Sequence, residues 1–251
     1  MGAHLFTGSD GVELAWHETG AGRTLILLPG FGGAGARMLD TELVRTLAER
    51  GHRVVVPDFR GCGDSGGADD PRGYPADALA TDGLALVDHL GLGDQEYDLG
   101  GYSLGARIAV RMLARGAAPG RAIVAGQGLA KVSGPQGGGA NRRVLTALVD
   151  GVAFEPDSAD ERAARAILHG GANPRALLHV LESLMPTPED DLRRITVPVL
   201  VAIGDRDERA DADRLAELLP NARFVRVPGD HGSAFFAPEL TTAITEFVTA
   251  R

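Results

Sequence analysis

The chain has 251 residues, enough for one large domain or two small ones, and its 44% hydrophobic content suits a globular protein with a real core. A formal net charge of −9 repels phosphate backbones and anionic lipid, so neither nucleic acid nor a membrane is an expected partner. The single cysteine, Cys62, excludes an internal disulfide, and with no apolar run near the roughly 20 residues of a membrane span and no basic-then-apolar leader in residues 1–10, a cytoplasmic location is expected.

Ser9-Asp10-Gly11 predicts a hairpin turn between two short strands. Residues 24–28 (TLILL) are continuously apolar and closed by Pro29-Gly30, which suits a strand buried on both faces. Residues 38–50 place Leu39, Leu43, Val44 and Leu47 at helical spacing. Strand returns at 53–57 (RVVVP), helix at 74–90, strand at 97–102, helix at 104–115 and strand at 121–125. Towards the end, 197–203 (VPVLVAI) is strand, 211–219 helix, 222–227 strand and 238–249 a closing helix. Strands alternating with helices over short links predict an α/β fold, a mostly parallel sheet flanked by helices on both faces.

Residues 129–194 break that rhythm with helical patterns and no convincing strand. Val144, Leu145, Leu148, Val149 and Val152 make one stripe; Leu177, Leu178, Leu181, Leu184 and Met185 make another. Residues 135–139 (PQGGG) read as a flexible lead-in. The expected organisation is a core of residues 1–128 and 195–251 with a small helical cap insertion at 129–194 over the strand ends. The alternative is a helical excursion with no part in ligand binding.

With 35 glycines, glycine motifs arise easily. Roughly 0.7 chance matches to G-x-G-x-x-G are expected, and two occur, at 30–35 and 61–66. The first follows a strand, precedes a helix and has Asp58 at the end of the next strand, as a dinucleotide-binding fingerprint would. G-x-S-x-G is rarer, with roughly 0.14 chance matches expected. Two occur, around Ser65 and Ser103. Ser103 has a strand before it and a helical run after it, the context of a serine projected from a sharp strand-to-helix turn. Ser65 runs on into a loop and reads as a structural residue bonding loop backbone.

A serine nucleophile needs a base, and the base needs an acid to fix its tautomer. Of seven histidines, His231 lies between the last predicted strand and the last helix. Strand C-terminal ends of a parallel sheet share one edge, so His231 and Ser103 are expected to meet there. Asp205 and Asp207 follow the 197–203 strand, and Asp230 adjoins the histidine; all three are candidate acids.

LLPGFGG (27–33), DFRGCGDS (58–65), GYSLG (101–105), GDRD (204–207) and DHG (230–232) together resemble the α/β-hydrolase family along almost the whole chain. The order Ser, Asp, His is also the family's. The resemblance implies a serine esterase-like member. It favours Asp207 as the acid, because in that family the acid closes a G-x-x-D turn. It also implies an oxyanion hole built from the Phe31 and Leu104 amides, and a small-molecule acyl substrate. The chain departs from the family pattern at Pro29, often His, and at Asp230, usually Gly. Relatives with an Asp nucleophile hydrolyse epoxides or haloalkanes, so a serine at 103 implies acyl chemistry.

Two other readings compete. One keeps the fold without turnover, as a ligand-binding protein. The other is an NAD-dependent oxidoreductase built on residues 30–35 and Asp58; it leaves Ser103, Asp207 and His231 unexplained, and the single lysine, Lys131, has no tyrosine four residues before it. Neither metal nor cofactor is expected. The acidic stretch Asp205, Asp207, Asp211, Asp213 lacks the spacing of a calcium loop, and no His-Glu-x-x-His or Gly-Lys phosphate loop occurs.

Overall fold

The computed structural model describes residues 2–67, 70–134, 139–169 and 172–250. Eight strands form one sheet: β1 (His4–Thr7), β2 (Glu13–Gly20), β3 (Arg23–Leu28), β4 (His52–Pro57), β5 (Tyr97–Tyr102), β6 (Ala122–Ala125), β7 (Val199–Gly204) and β8 (Ala222–Val227). Their order is β1-β2-β4-β3-β5-β6-β7-β8. The pairs β1–β2 and β2–β4 are antiparallel, and every other pair is parallel. The hairpin expected around Ser9–Gly11 is therefore the antiparallel edge of a parallel sheet.

Alternation along each strand explains why the parallel runs are apolar throughout. Ile26, Leu28, Val55, Val124 and Val201 point to one face, where they meet Leu79, Leu86, Leu104, Ile108 and Leu215. Leu25, Leu27, Val54, Val56, Ile123 and Leu200 point to the other, where they meet Leu43, Leu47, Leu240 and Ile244. Helices α1 (Gly35–Leu39), α2 (Glu42–Glu49), α3 (Ala78–His89) and α4 (Leu104–Ala114) lie in the connections that lead from β3 through β4 and β5 to β6. Helices α10 (Ala212–Leu218) and α11 (Pro238–Thr249) complete the two layers.

Two expected helices differ in their limits. The pattern over 38–50 is two helices, because Thr41 caps α2, its hydroxyl accepting the Val44 N–H at 3.4 Å. The pattern over 74–90 starts only at Ala78, because Pro75 precedes it and Asp77 stands at φ 65°.

Between β6 and β7 lie α5 (Leu129–Ser133), α6 (Ala140–Asp150), α7 (Ala159–His169), α8 (Pro174–Ser183) and α9 (Glu189–Leu192). Among the described residues this segment contains no strand. Most of the expected lead-in, residues 135–138, lies outside the described residues. Val144 and Leu145 of α6 and Leu177 and Val180 of α8 are buried. Val152 and Met185 are exposed instead, since each follows the end of its helix: Gly151, at φ 68°, closes α6, and Leu184 caps α8 in an extended conformation. Backbone bonds tie the segment to the core, with Asn173 N donating to Gly61 O at 3.3 Å and Asp77 N to Ser183 O at 2.8 Å.

Candidate active site

The C-terminal ends of β3, β5, β7 and β8 deliver the expected residues to one edge of the sheet. Ser103 follows β5 directly and stands at φ 54°, ψ −116°, a conformation that costs a non-glycine residue about 1–3 kcal/mol. The surrounding chain fixes it there. Its N–H donates to Ala125 O at 2.8 Å, and its carbonyl accepts Gln127 Nε2 at 2.8 Å and the Arg107 N–H at 3.2 Å. The flanking glycines let strand and helix cross closely. A Cβ on Gly105 would collide with the Leu28 carbonyl, and one on Gly101 with the backbone of Gly105.

His231 Nε2 lies 2.9 Å from Ser103 Oγ, and His231 Nδ1 lies 2.7 Å from Asp207 Oδ2. An ionised carboxylate can only accept, so Nδ1–H faces Asp207, and in the tautomer with the proton there Nε2 is placed to accept from the serine hydroxyl. The Asp207 side chain is fully buried. Burial pushes its carboxyl up, but the hydrogen bonds from His231 and the Arg209 amide outweigh this and hold it below the ordinary carboxylate range.

The other two candidate acids have different partners. Asp205 Oδ1 accepts the Gly229 N–H at 2.9 Å, bracing the loop that carries His231. Asp230 closes a turn, accepting the amides of Gly232 and Ser233 and the Ser233 hydroxyl. Of the three, Asp207 is the one brought to the imidazole.

Tyr102, which sequence reasoning passed over, supports the histidine from below. Its hydroxyl donates to His231 O at 2.5 Å, and its ring stacks against the imidazole with centroids 5.5 Å apart. Burial, then the nearby Asp207 charge, raises the phenol well above its usual range, so it stays a donor. Its place inside G-Y-S-L-G was visible in the sequence; its contact with a residue in the last loop was not.

Phe31 lies in the loop after β3, and Leu104 opens α4. Among the described residues, neither backbone N–H donates to a protein acceptor, and both residues line the space in front of Ser103. Two cavities meet at that serine. A chamber of about 200 Å³ is lined by Leu104, Arg107, Gln127, Lys131 and Arg209. A groove of about 640 Å³ is lined by His231, Met38, Ile167, Phe235 and Phe236. Phe31, Ser103 and Arg209 border both.

Ser65 has the structural part expected of it: its hydroxyl donates to Asp58 O at 2.7 Å and accepts the Ala15 N–H at 2.8 Å. Asp58, the ribose partner that a dinucleotide reading requires, is buried. Its carboxylate accepts the Gly35 and Asp64 amides and pairs with His17 Nε2 at 3.0 Å. The glycine loop is thus folded onto its own aspartate. His17, Asp58 and Asp64 are the one trio of possible ligand atoms within 4.8 Å of one another among the described residues. No helix among them is long and apolar enough to cross a membrane.

A family model described as the alpha/beta hydrolase family matches residues 25–244. The chain belongs to that family. A non-heme haloperoxidase of Rhodococcus erythropolis is 30% identical to this family member over 90% of the chain and 92% of that protein. A hydrolase from Pseudomonas aeruginosa PA01 superposes with a TM-score of 0.79 at 24% identity, covering 99% of this chain and 98% of that one. The esterase RhEst1 from Rhodococcus sp. ECU1013 gives 0.76 at 23% identity, covering 100% and 99%. These two likenesses concern the fold.

Proposed function

We propose that this α/β-hydrolase family member is a serine hydrolase that cleaves a small carboxylic ester through an acyl-enzyme. The observation that carries the reading is the hydrogen-bonded chain Ser103 Oγ, His231 and Asp207, with links of 2.9 and 2.7 Å. Ser103 Oγ attacks the ester carbonyl while His231 Nε2 takes its proton. Asp207 holds the ring in the required tautomer and stabilises the imidazolium as it forms. The Phe31 and Leu104 amides receive the oxyanion, each worth on the order of 3 kcal/mol in the transition state. His231 returns the proton to the departing alkoxide, and the alcohol leaves. Water, deprotonated by the same ring, then attacks the acyl-enzyme and releases the acid and Ser103. The helices of residues 129–194 act as the cap over this reaction, since Asn141, Ile167 and Leu181 face the two cavities.

Ser103→Ala tests the reading. Turnover of 4-nitrophenyl acetate should vanish while the fold, followed by circular dichroism, persists. Activity near wild type in that variant defeats it. Covalent labelling of Ser103 by a fluorophosphonate, followed by catalytic turnover of the ester, separates an enzyme from a binding protein of the same fold. The Rhodococcus erythropolis relative supports a second reading, haloperoxidase activity. Peroxide-dependent bromination of an activated dione by the wild type, lost in Ser103→Ala, is its test.

A further inference from the structure

The backbone of Ser103 is gripped on both sides by one short segment. β6 ends at Ala125, Gly126 turns the chain at φ 67°, and Gln127 follows. The turn requires glycine for a second reason, since a Cβ there would stand 2.8 Å from the Tyr102 ring. Ala125 O accepts the Ser103 N–H, and Gln127 Nε2 donates to Ser103 O, each at 2.8 Å. A carbonyl only accepts, so it is the NH2 end of the Gln127 amide that meets Ser103.

Gln127 is 5% exposed, and its Oε1 is buried with no hydrogen-bond partner. As a device for stability this is a poor arrangement, because one bond is made while one acceptor gives up water for nothing. Ser103 O also accepts the Arg107 N–H at 3.2 Å, so the carbonyl has a partner without the glutamine. Neither end of the contact therefore needs Gln127 for the fold. The bond has its effect on the peptide to which Ser103 O belongs.

That peptide joins Ser103 to Leu104. It is planar, and the C=O and N–H of a trans peptide point in opposite directions. Leu104 is the first residue of α4, where an N–H has no partner within the helix. A donor on the carbonyl acts on this N–H in two ways. It fixes the plane, and with it the direction in which the N–H points. It also draws electron density onto the oxygen, which strengthens the N–H as a donor, as along a chain of hydrogen-bonded amides. The strained Ser103 backbone, at φ 54° and ψ −116°, gives the plane reason to turn, and a grip anchored beyond β6 opposes that turn.

We propose that Gln127 is a positioning residue for the oxyanion hole: through Ser103 O it orients and polarises the Leu104 N–H that receives the developing negative charge. The inference rests on Ser103 as the nucleophile and on the Leu104 amide as an oxyanion donor. Gln127 makes and breaks no bond in the reaction.

Gln127→Met keeps the length of the side chain and removes its donor. The test compares 4-nitrophenyl acetate with O-4-nitrophenyl thionoacetate, in which sulfur replaces the carbonyl oxygen. Sulfur is a larger and weaker acceptor, so the thiono ester draws less on the hole. Nitrophenolate release is followed with enzyme in excess, which reads slow acylation as well as fast. The rate for the oxygen ester should fall about tenfold in Gln127→Met, the worth of one hydrogen bond. For the thiono ester it should fall only about twofold, so the oxygen-to-sulfur ratio drops about fivefold. An unchanged ratio overturns the proposal, whatever happens to the two rates. Gln127→Leu takes the place of Gln127→Met if circular dichroism shows that variant unfolded; failure of both to fold makes Gln127 a structural residue and also overturns it. If Ser103→Ala abolishes turnover while the ratio stays put in Gln127→Met, the nucleophile stands and only the part given to Gln127 falls. If Ser103→Ala keeps wild-type activity, the nucleophile and this proposal fall together.

Discussion

Replacing Asp207 by asparagine isolates what the buried carboxylate contributes. The side chain keeps its size, so the loop after β7 keeps its shape, but the charge facing His231 disappears. The imidazolium that the proposed reaction forms loses its counter-ion. With the two charge centres about 4 Å apart and an effective dielectric near 20, that attraction is worth about 4 kcal/mol, or about a thousandfold in rate. Loss of the enforced tautomer adds to it, because the replacement amide can turn its NH2 towards Nδ1; a total fall of about 10³–10⁴ in kcat is expected. Steady-state hydrolysis of 4-nitrophenyl acetate measures it. The same variant has a stability signature. The Asp207 carboxyl is depressed in the folded state, so its contribution is full at neutral pH and lost as the pH falls through the folded value. The melting-temperature gap between wild type and Asp207→Asn should therefore narrow on acidification. Asp205→Asn is the control: it weakens the brace on Gly229 and should cost less than about tenfold in rate. If Asp207→Asn keeps more than a tenth of the activity while Asp205→Asn does not, the assignment of the acid is wrong.

Tyr102→Phe removes the hydroxyl bond to the His231 carbonyl; kcat should drop about fivefold with KM nearly unchanged, read from full saturation curves. Gly105→Ala drives a methyl into the Leu28 carbonyl, and denaturant unfolding should show a loss of about 2–3 kcal/mol. Arg60→Met leaves Asp82 buried without the guanidinium that grips it at 2.5 and 2.6 Å, at a cost of about 3–5 kcal/mol at neutral pH. Burial already raises the Asp82 carboxyl, so protonation relieves the variant and the deficit should shrink as the pH falls. A deficit that grows in acid contradicts the account of Arg60.

The parts of the fold that were legible in the sequence are those governed by local patterning. Residues 97–102, 222–227 and 238–249 carry the expected elements at the expected limits, because apolar alternation and clear end signals coincide there. The split of residues 38–50 had a sequence cue as well: Thr41 before Glu42 is an N-cap signal embedded in an otherwise unbroken apolar stripe. The late start of α3 depends on the left-handed conformation of Asp77, which apolar spacing does not encode. At the site, Ser103 and His231 were visible because strand ends in a parallel sheet must converge. Tyr102, Gln127 and Arg107 were not, since each acts through a partner far along the chain: His231 O, Ser103 O and Met185 O. Residue type alone makes Arg107 an ordinary helix surface cation. Its burial follows from how the segment after α8 docks on α4, which is a tertiary fact.

Asp230 illustrates how a departure from a family pattern is absorbed. A carboxylate next to the base would, if aimed at the ring, compete with Asp207 for Nδ1. Instead it accepts the amides of Gly232 and Ser233 and the Ser233 hydroxyl, and this bonding, the hydroxyl foremost, holds it below its ordinary range. The residue therefore closes the loop locally, as Asp readily does through turn bonding to its own backbone. Asp205 fixes the loop's start through Gly229, and Tyr102 fixes its middle through His231 O. The imidazole is thus held by its backbone on both sides before Asp207 orients the ring. In the proposed hydrolysis, a loop pinned at three points would keep the imidazole in place before a substrate arrives, leaving substrate binding energy for discrimination between substrates.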